Sequence, residues 1–281
     1  MSVAVVFPGQ GSQRKGMGRN LFDRFDDIVR EADQILGYSV KELCLKDPDQ
    51  QLGLTQYTQP ALFTINAMSW EALKEDGAAL PDYFAGHSLG EYNALVAAGA
   101  ISFSSGLNLV KKRGELMARA KNGGMAAIIG PGEDQIRECL DKNKIKNVSV
   151  ANLNTPSQTV ISGSKAGIEA AKPIFDALAK TRYVILNVSG AFHAPPMADA
   201  AREFKAYMDE FEIGNLKIPV ISNVLARPYP NGETRELLCA QMTAPVRWMD
   251  SIRYMSDQGV KEFIEAGPGK VLTNMLKSIL V

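Results

Sequence analysis

Val3-Ala4-Val5-Val6-Phe7 is an unbroken apolar run rich in β-branched residues, the pattern of a strand buried on both faces of a parallel sheet. It ends at Pro8-Gly9-Gln10-Gly11-Ser12-Gln13, which reads as a turn. Apolar residues recur at helical spacing over 20–36 and 59–76. A short apolar run, Tyr83-Phe84-Ala85, comes next, then an alanine-rich helical stretch closed by Gly99, then a helix over 104–121. Strand alternating with helix predicts an α/β architecture.

From Met125 the texture changes. Strand patterns at 125–129, 148–153, 158–162 and 183–188 enclose helical patterns at 132–142 and 165–180. The order β-α-β-β-α-β is that of a ferredoxin-like unit. The expected organisation is therefore a parallel-sheet large domain formed by 1–123 and 190–281, with an inserted small domain at 124–189. After Met197 the alternation resumes, with strands at 219–223 and 262–266 and a last helix over 270–279. The sequence carries no repeats, low-complexity segments or long charge runs.

Composition narrows the function classes. The 281 residues are 46% hydrophobic and 22% charged, enough for one large core and a smaller satellite. Thirty-one basic residues balance 31 acidic ones, so no overall positive field draws in nucleic acid or anionic membrane. No apolar run approaches the ~18 residues of a membrane span, and Val3–Phe7 is too short and lacks the basic leader of a signal peptide. A cytoplasmic protein without a nucleic-acid or membrane partner is expected. Cys44, Cys139 and Cys239 are odd in number and far apart, which suits buried small hydrophobes better than a disulfide framework. The only histidines, His87 and His193, have no ligand-spaced partner, so no metal site is expected.

Chemistry enters at Gly86-His87-Ser88-Leu89-Gly90. Chance gives G-x-S-x-G in roughly one chain in ten, but here a strand pattern precedes it and a helix pattern follows. That order puts a serine on a sharp strand-to-helix turn. The Ser88 hydroxyl needs a base. His87, beside it on the same turn, points away and is read as structural, which leaves His193 in the loop segment 189–197. No Asp or Glu between them stands out as a third member, so a dyad whose histidine is oriented by an amide oxygen stays open. Oxyanion donors would come from the Leu89 amide and from the turn at Gly9-Gln10-Gly11, which lacks the spacing of a phosphate loop. Arg113, in a helix and followed by Gly114, reads either as a carboxylate-binding fork or as a surface charge. Asn152 and Asn154 read as substrate contacts or as turn formers.

Phe7–Gln13, Tyr57–Leu62, Gly86–Tyr92, Lys112–Met117, Gly190-Ala191-Phe192-His193, Pro245–Trp248 and Gly267–Leu272 together resemble the malonyl-CoA:acyl-carrier-protein transacylases, from first strand to last helix. Within that family the chain looks most like the free-standing acyltransferases that serve polyketide synthases in trans. The resemblance implies a hydrolase-like α/β large domain with a ferredoxin-like insert and the active site in the cleft between them. It implies Ser88 as nucleophile, His193 as base, Arg113 as clamp on the malonyl carboxylate, and Gln10 and Leu89 as oxyanion-hole amides. It makes the Gln241 backbone carbonyl the histidine-orienting group, and Phe192 and Met117 the residues that select the extender unit; a packing aromatic remains the other reading of Phe192. No bound cofactor is implied: the substrates are malonyl-CoA and the phosphopantetheine arm of an acyl carrier protein. The competing readings are a fatty-acid-synthesis transacylase, an acyl hydrolase that releases the same ester to water, and a non-catalytic carrier-protein docking subunit.

Overall fold

The computed structural model describes residues 2–188 and 190–281. Four parallel strands form the central sheet of the larger unit, in the order β7-β2-β1-β8: β1 is Ser2–Phe7, β2 Tyr83–Gly86, β7 Val220–Ile221 and β8 Val260–Glu265. The apolar run of β1 is central, as its composition requires. Val5 and Phe7 enter the main core, while Ala4 and Val6 pack with Trp248 and Leu272 on the opposite face. Helices cover both faces: α1 (Asp26–Leu36), α2 (Val40–Leu45), α3 (Thr55–Glu75), α4 (Gly90–Ala97), α5 (Phe103–Arg119), α8 (Ala198–Met208), α9 (Thr234–Gln241), α10 (Trp248–Asp257) and α11 (Val271–Ile279).

The inserted unit runs β3 (Gly123–Ile129), α6 (Glu133–Lys142), β4 (Val148–Thr155), β5 (Gln158–Ser164), α7 (Lys165–Asp176) and β6 (Arg182–Ile185). Its antiparallel sheet has the order β4-β5-β3-β6, the ferredoxin-like arrangement. One face buries Ala126, Ile128 and Ile161 under α6 and α7. The other turns Met125, Ala127 and Val160 toward the main core. Backbone hydrogen bonds from Leu153 to Val246 and from Val246 to Ala151 join β4 to the segment before α10, so the two sheets hold a fixed gap between them.

The element ends differ from the sequence expectation where tertiary demands intervene. Residues 20–25 form hydrogen-bonded turns rather than the start of α1, because Phe22 and Phe25 reach the core from that irregular path. The helix expected over 165–180 stops at Asp176, and Lys180 adopts a left-handed φ of 60°. After Ile185 one last bond, from the Leu186 N–H to the Met125 carbonyl at 2.9 Å, ends the pairing with β3 short of the expected 188, and Leu186 and Val188 line the interior gap. In place of a strand over 219–223 only Val220 and Ile221 pair with β2, since Ser222 enters a turn bonded to Ala226 and Arg227, and Asn223 turns to the site. Cys44 and Cys239 are buried, whereas Cys139 is partly exposed, a correction to the expectation for all three. Ser189, the last residue of the expected small domain, and Met1 lie outside the described residues.

Candidate active site

Strand β2 delivers its last residue, Gly86, against the first residues of α4, and this crossing admits no side chain. A Cβ on Gly86 would lie 1.9 Å from the Gly90 carbonyl carbon, and one on Gly90 would lie 2.0 Å from the Phe7 carbonyl oxygen. Between them Ser88 is forced to a φ of 51°, a region that costs a non-glycine residue on the order of 1–3 kcal/mol. Asn223 holds the strained residue. Its Oδ1 accepts from the Ser88 amide at 2.7 Å and its Nδ2 donates to the Gly86 carbonyl at 2.7 Å.

The hydroxyl so presented meets His193. Ser88 Oγ lies 2.7 Å from His193 Nε2, and His193 Nδ1 lies 2.7 Å from the Gln241 backbone carbonyl. A carbonyl can only accept, so Nδ1 carries the proton and Nε2 offers its lone pair to the serine. Burial, together with the positive charge of Arg113, pushes the imidazole down to about 3, keeping it neutral at physiological pH. His87 turns the other way, onto Asn154 Oδ1 at 2.8 Å and beside the Trp248 ring. It is the structural histidine.

Arg113 is fully buried. Its Nη1 donates to Gln59 Oε1 at 2.7 Å, and its Nη2 donates to Ser88 Oγ at 3.0 Å and Gln241 Oε1 at 2.8 Å. All three acceptors are uncharged, the guanidinium stands over the Tyr92 ring, and among the described residues Nε has no partner. A buried cation with no carboxylate in direct hydrogen-bond contact is costly, and a ligand carboxylate would supply what is missing. The surface-charge reading of Arg113 is thus overturned. Gly114 beside it allows α5 to press against the start of α3, since a Cβ there would sit 3.2 Å from Gln56 Cα.

These groups line a cavity of about 100 Å³, with Gln10, Gln59, Leu89, Met117, Met125, Asn152, Phe192, Leu186 and Val188. It has room for a few waters or a short acyl group. Among the described residues neither the Gln10 nor the Leu89 amide has a hydrogen-bond partner, and both residues border Ser88. The start of α4 behind Leu89 adds the positive end of a helix dipole there.

The matches with known proteins cover nearly all of this framework. Residues 4–280 match the acyl transferase domain model. The chain belongs to that family. The acyl transferase domain is 52% identical over 277 residues to the polyketide biosynthesis protein ThaF of Burkholderia thailandensis, covering 99% of this chain but 24% of ThaF. It is 49% identical over 278 residues to the polyketide biosynthesis malonyl CoA-acyl carrier protein transacylase BaeC of Bacillus velezensis, covering 99% of this chain and 96% of BaeC. A malonyl-transacylase solved in complex with its type II PKS acyl-carrier protein superposes with a TM-score of 0.93 at 38% identity, covering 100% of this chain and 93% of that one.

The acyl transferase domain brings Ser88, His193, Arg113, Gln10, Leu89, Gln241, Phe192 and Met117 to one place, as contacts or as cavity walls. Asn152 lines the cavity too, while Asn154 serves His87; both lie in β4 rather than in a turn. Four further residues complete it. Gln59 holds Arg113, Asn223 holds the elbow, and Glu91 and Tyr229 are joined behind Gln241. Gln59 and Glu91 stand inside the motifs Tyr57–Leu62 and Gly86–Tyr92, which was the available signal; Asn223 and Tyr229 carried none.

Proposed function

We propose that this protein transfers a malonyl group from malonyl-CoA to the phosphopantetheine thiol of an acyl carrier protein through a malonyl-Ser88 ester, and supplies extender units to a polyketide synthase in trans. The observation that carries the reading is the fully buried Arg113, whose guanidinium touches the Ser88 hydroxyl and has only neutral partners. A carboxylate one methylene away from the thioester carbonyl, as in a malonyl group, would complete it. The polyketide setting is supported by the names of ThaF and BaeC, and the carrier-protein partner by the solved complex of a similar transacylase.

In this mechanism Ser88 Oγ attacks the thioester carbonyl as its proton passes to His193 Nε2. The amides of Gln10 and Leu89 hold the oxyanion. Collapse breaks the C–S bond, and the imidazolium returns the proton to the departing CoA thiolate, leaving the malonyl ester. The carrier's thiol then gives its proton to His193, attacks the ester, and Ser88 leaves with that proton. The Gln241 carbonyl keeps Nδ1 protonated throughout. We assign 1–123 and 190–281 to the large domain and 124–189 to the small one, with the reaction in the cleft they share. Among the described residues no helix is long and apolar enough to cross a membrane.

The test is incubation of the purified protein with radiolabelled malonyl-, methylmalonyl- and acetyl-CoA, followed by holo acyl carrier protein, beside Ser88→Ala. Stable malonyl label, lost in Ser88→Ala and handed to the carrier, is the expected result. Rapid release of free malonate, or equal labelling by acetyl-CoA, would overturn the proposal in favour of an acyl hydrolase.

A further inference from the structure

Glu91 lies in the first turn of α4, three residues past Ser88, fully buried and idle in every step above. Its carboxylate accepts from three donors. Oε1 takes the Tyr229 hydroxyl at 2.6 Å and the Asn223 backbone N–H at 2.8 Å, and Oε2 takes the Gln241 side-chain amide. An ionised carboxyl offers only acceptors, so it satisfies all three. Gln241 then has a single orientation. Its Nε2 is committed to Glu91 and to the Ser88 carbonyl at 2.9 Å, which leaves Oε1 to face Arg113 Nη2 at 2.8 Å. Exchanging the amide oxygen and nitrogen would set an NH₂ against the guanidinium and an oxygen against two acceptors.

We propose that the Glu91 carboxylate is a positioning residue for acyl selection: it fixes the amide orientation of Gln241 and, through it, holds the Arg113 guanidinium where the acyl carboxylate must dock. The inference rests on the reading of Arg113 as the malonyl clamp. The groups facing Glu91 are Arg113 from α5, Tyr92 from its own helix, Tyr229 from the segment after β7, and the neutral Gln241 and Asn223. Burial pushes the carboxyl up to about 7, against the pull of its three hydrogen bonds and of Arg113. Protonation just below neutrality therefore places a donor where Tyr229, Asn223 or Gln241 already donates, and loosens the chain that ends at Arg113.

The experiment measures kcat and KM for malonyl-CoA and acetyl-CoA with wild type, Glu91→Gln and Arg113→Ala, from pH 6 to 8. In Glu91→Gln the amide oxygen stays with Tyr229 and Asn223, its NH₂ meets the Gln241 NH₂, and Gln241 must turn over. The malonyl-to-acetyl ratio of kcat/KM is expected to fall roughly 10- to 100-fold, the worth of one hydrogen bond to a charged group. A general packing defect lowers both substrates together and leaves the ratio standing. In wild type the KM for malonyl-CoA is expected to climb as pH drops from 8 to 6 while that for acetyl-CoA does not. That arm needs no variant to fold. An unchanged ratio in folded Glu91→Gln, or a malonyl KM in wild type that ignores pH, overturns the role of Glu91. Discrimination that is absent in wild type, or that survives in Arg113→Ala, instead overturns the reading of Arg113 itself.

Discussion

Arg113 Nη2 donates to Ser88 Oγ at 3.0 Å, so the buried cation and the strained serine share one hydrogen bond before any substrate arrives. The same serine oxygen has its proton directed to His193. A carboxylate entering the cavity would draw on the guanidinium fork while the hydroxyl keeps its base. Replacing Arg113 by alanine is expected to lower kcat/KM for malonyl-CoA by roughly 10- to 100-fold, the range for a lost hydrogen bond to a charged group, and to lower that for acetyl-CoA far less. Arg113→Lys should recover little, because an ammonium lacks the planar fork that reaches Gln59, Gln241 and a carboxylate together. Stopped-flow acylation with both thioesters measures this, and equal losses for the two would refute it.

The pH behaviour of His193 follows from its surroundings. Burial and the Arg113 charge hold it at about 3, against roughly 6.5 in an unfolded chain. The unfolded state thus binds more protons between those values, and the stability contributed is present above pH 6.5 and lost progressively as pH falls toward 3. Glu91 runs the other way: raised to about 7, it favours the folded state below its ordinary value and that gain is lost as pH rises through 7. The two offset one another in wild type. Removing the imidazole exposes the difference: between pH 7.5 and 5, wild type should lose about 2 kcal/mol more than His193→Gln in urea unfolding. For acetyl-CoA, kcat/KM should stay flat down to about pH 5.

Much of this was legible in the residues. The unbroken apolar run of β1, the Gly86–Gly90 spacing and the β-α-β-β-α-β order each follow from local patterning, and all three stand in the structure. What local pattern hides is contact across sequence distance. Asn223 sits 135 residues from Ser88 and in a strand-like run, so nothing near it signals that its side chain supports the elbow. Arg113 has the helical context of a surface charge, and only the packing of α3 and α9 around it makes it a buried fork. The start of α1 and the end of β6 slipped for a related reason, since core aromatics and the cavity wall claimed residues whose propensity pointed elsewhere.

Asn223 is expected to matter more than its silence in the sequence suggests. Asn223→Ala strips the acceptor from the Ser88 amide and the donor from the Gly86 carbonyl at once. Each unpaired buried group costs about 1–3 kcal/mol, and Ser88 loses the bond that holds its left-handed backbone. Thermal melts should show a stability loss of about 2 kcal/mol or more, with serine acylation slowed for malonyl- and acetyl-CoA alike. A variant as stable as wild type would mean that the Gly86–Gly90 crossing alone sustains the elbow.

Phe192 and Met117 both line the cavity, and the Phe192 ring packs so closely on Gly190 that a Cβ there would lie 2.4 Å from it. Ala120 and Ala191 line a separate cleft of about 770 Å³. Phe192→Ala is expected to raise the methylmalonyl-to-malonyl ratio of kcat/KM by roughly 10- to 100-fold, since one methyl in such a pocket is worth ~1–3 kcal/mol. It should also cost about 3–5 kcal/mol of stability, the usual loss for a buried phenylalanine. Met117→Ala should shift the ratio less, because the flexible thioether already adapts and its sulfur is tied to Gln59 Nε2 at 3.2 Å. Competition between the two thioesters for labelling Ser88 decides the matter. If folded Phe192→Ala keeps the wild-type ratio, the ring is a packing aromatic and the selection of malonyl lies elsewhere in the cavity wall.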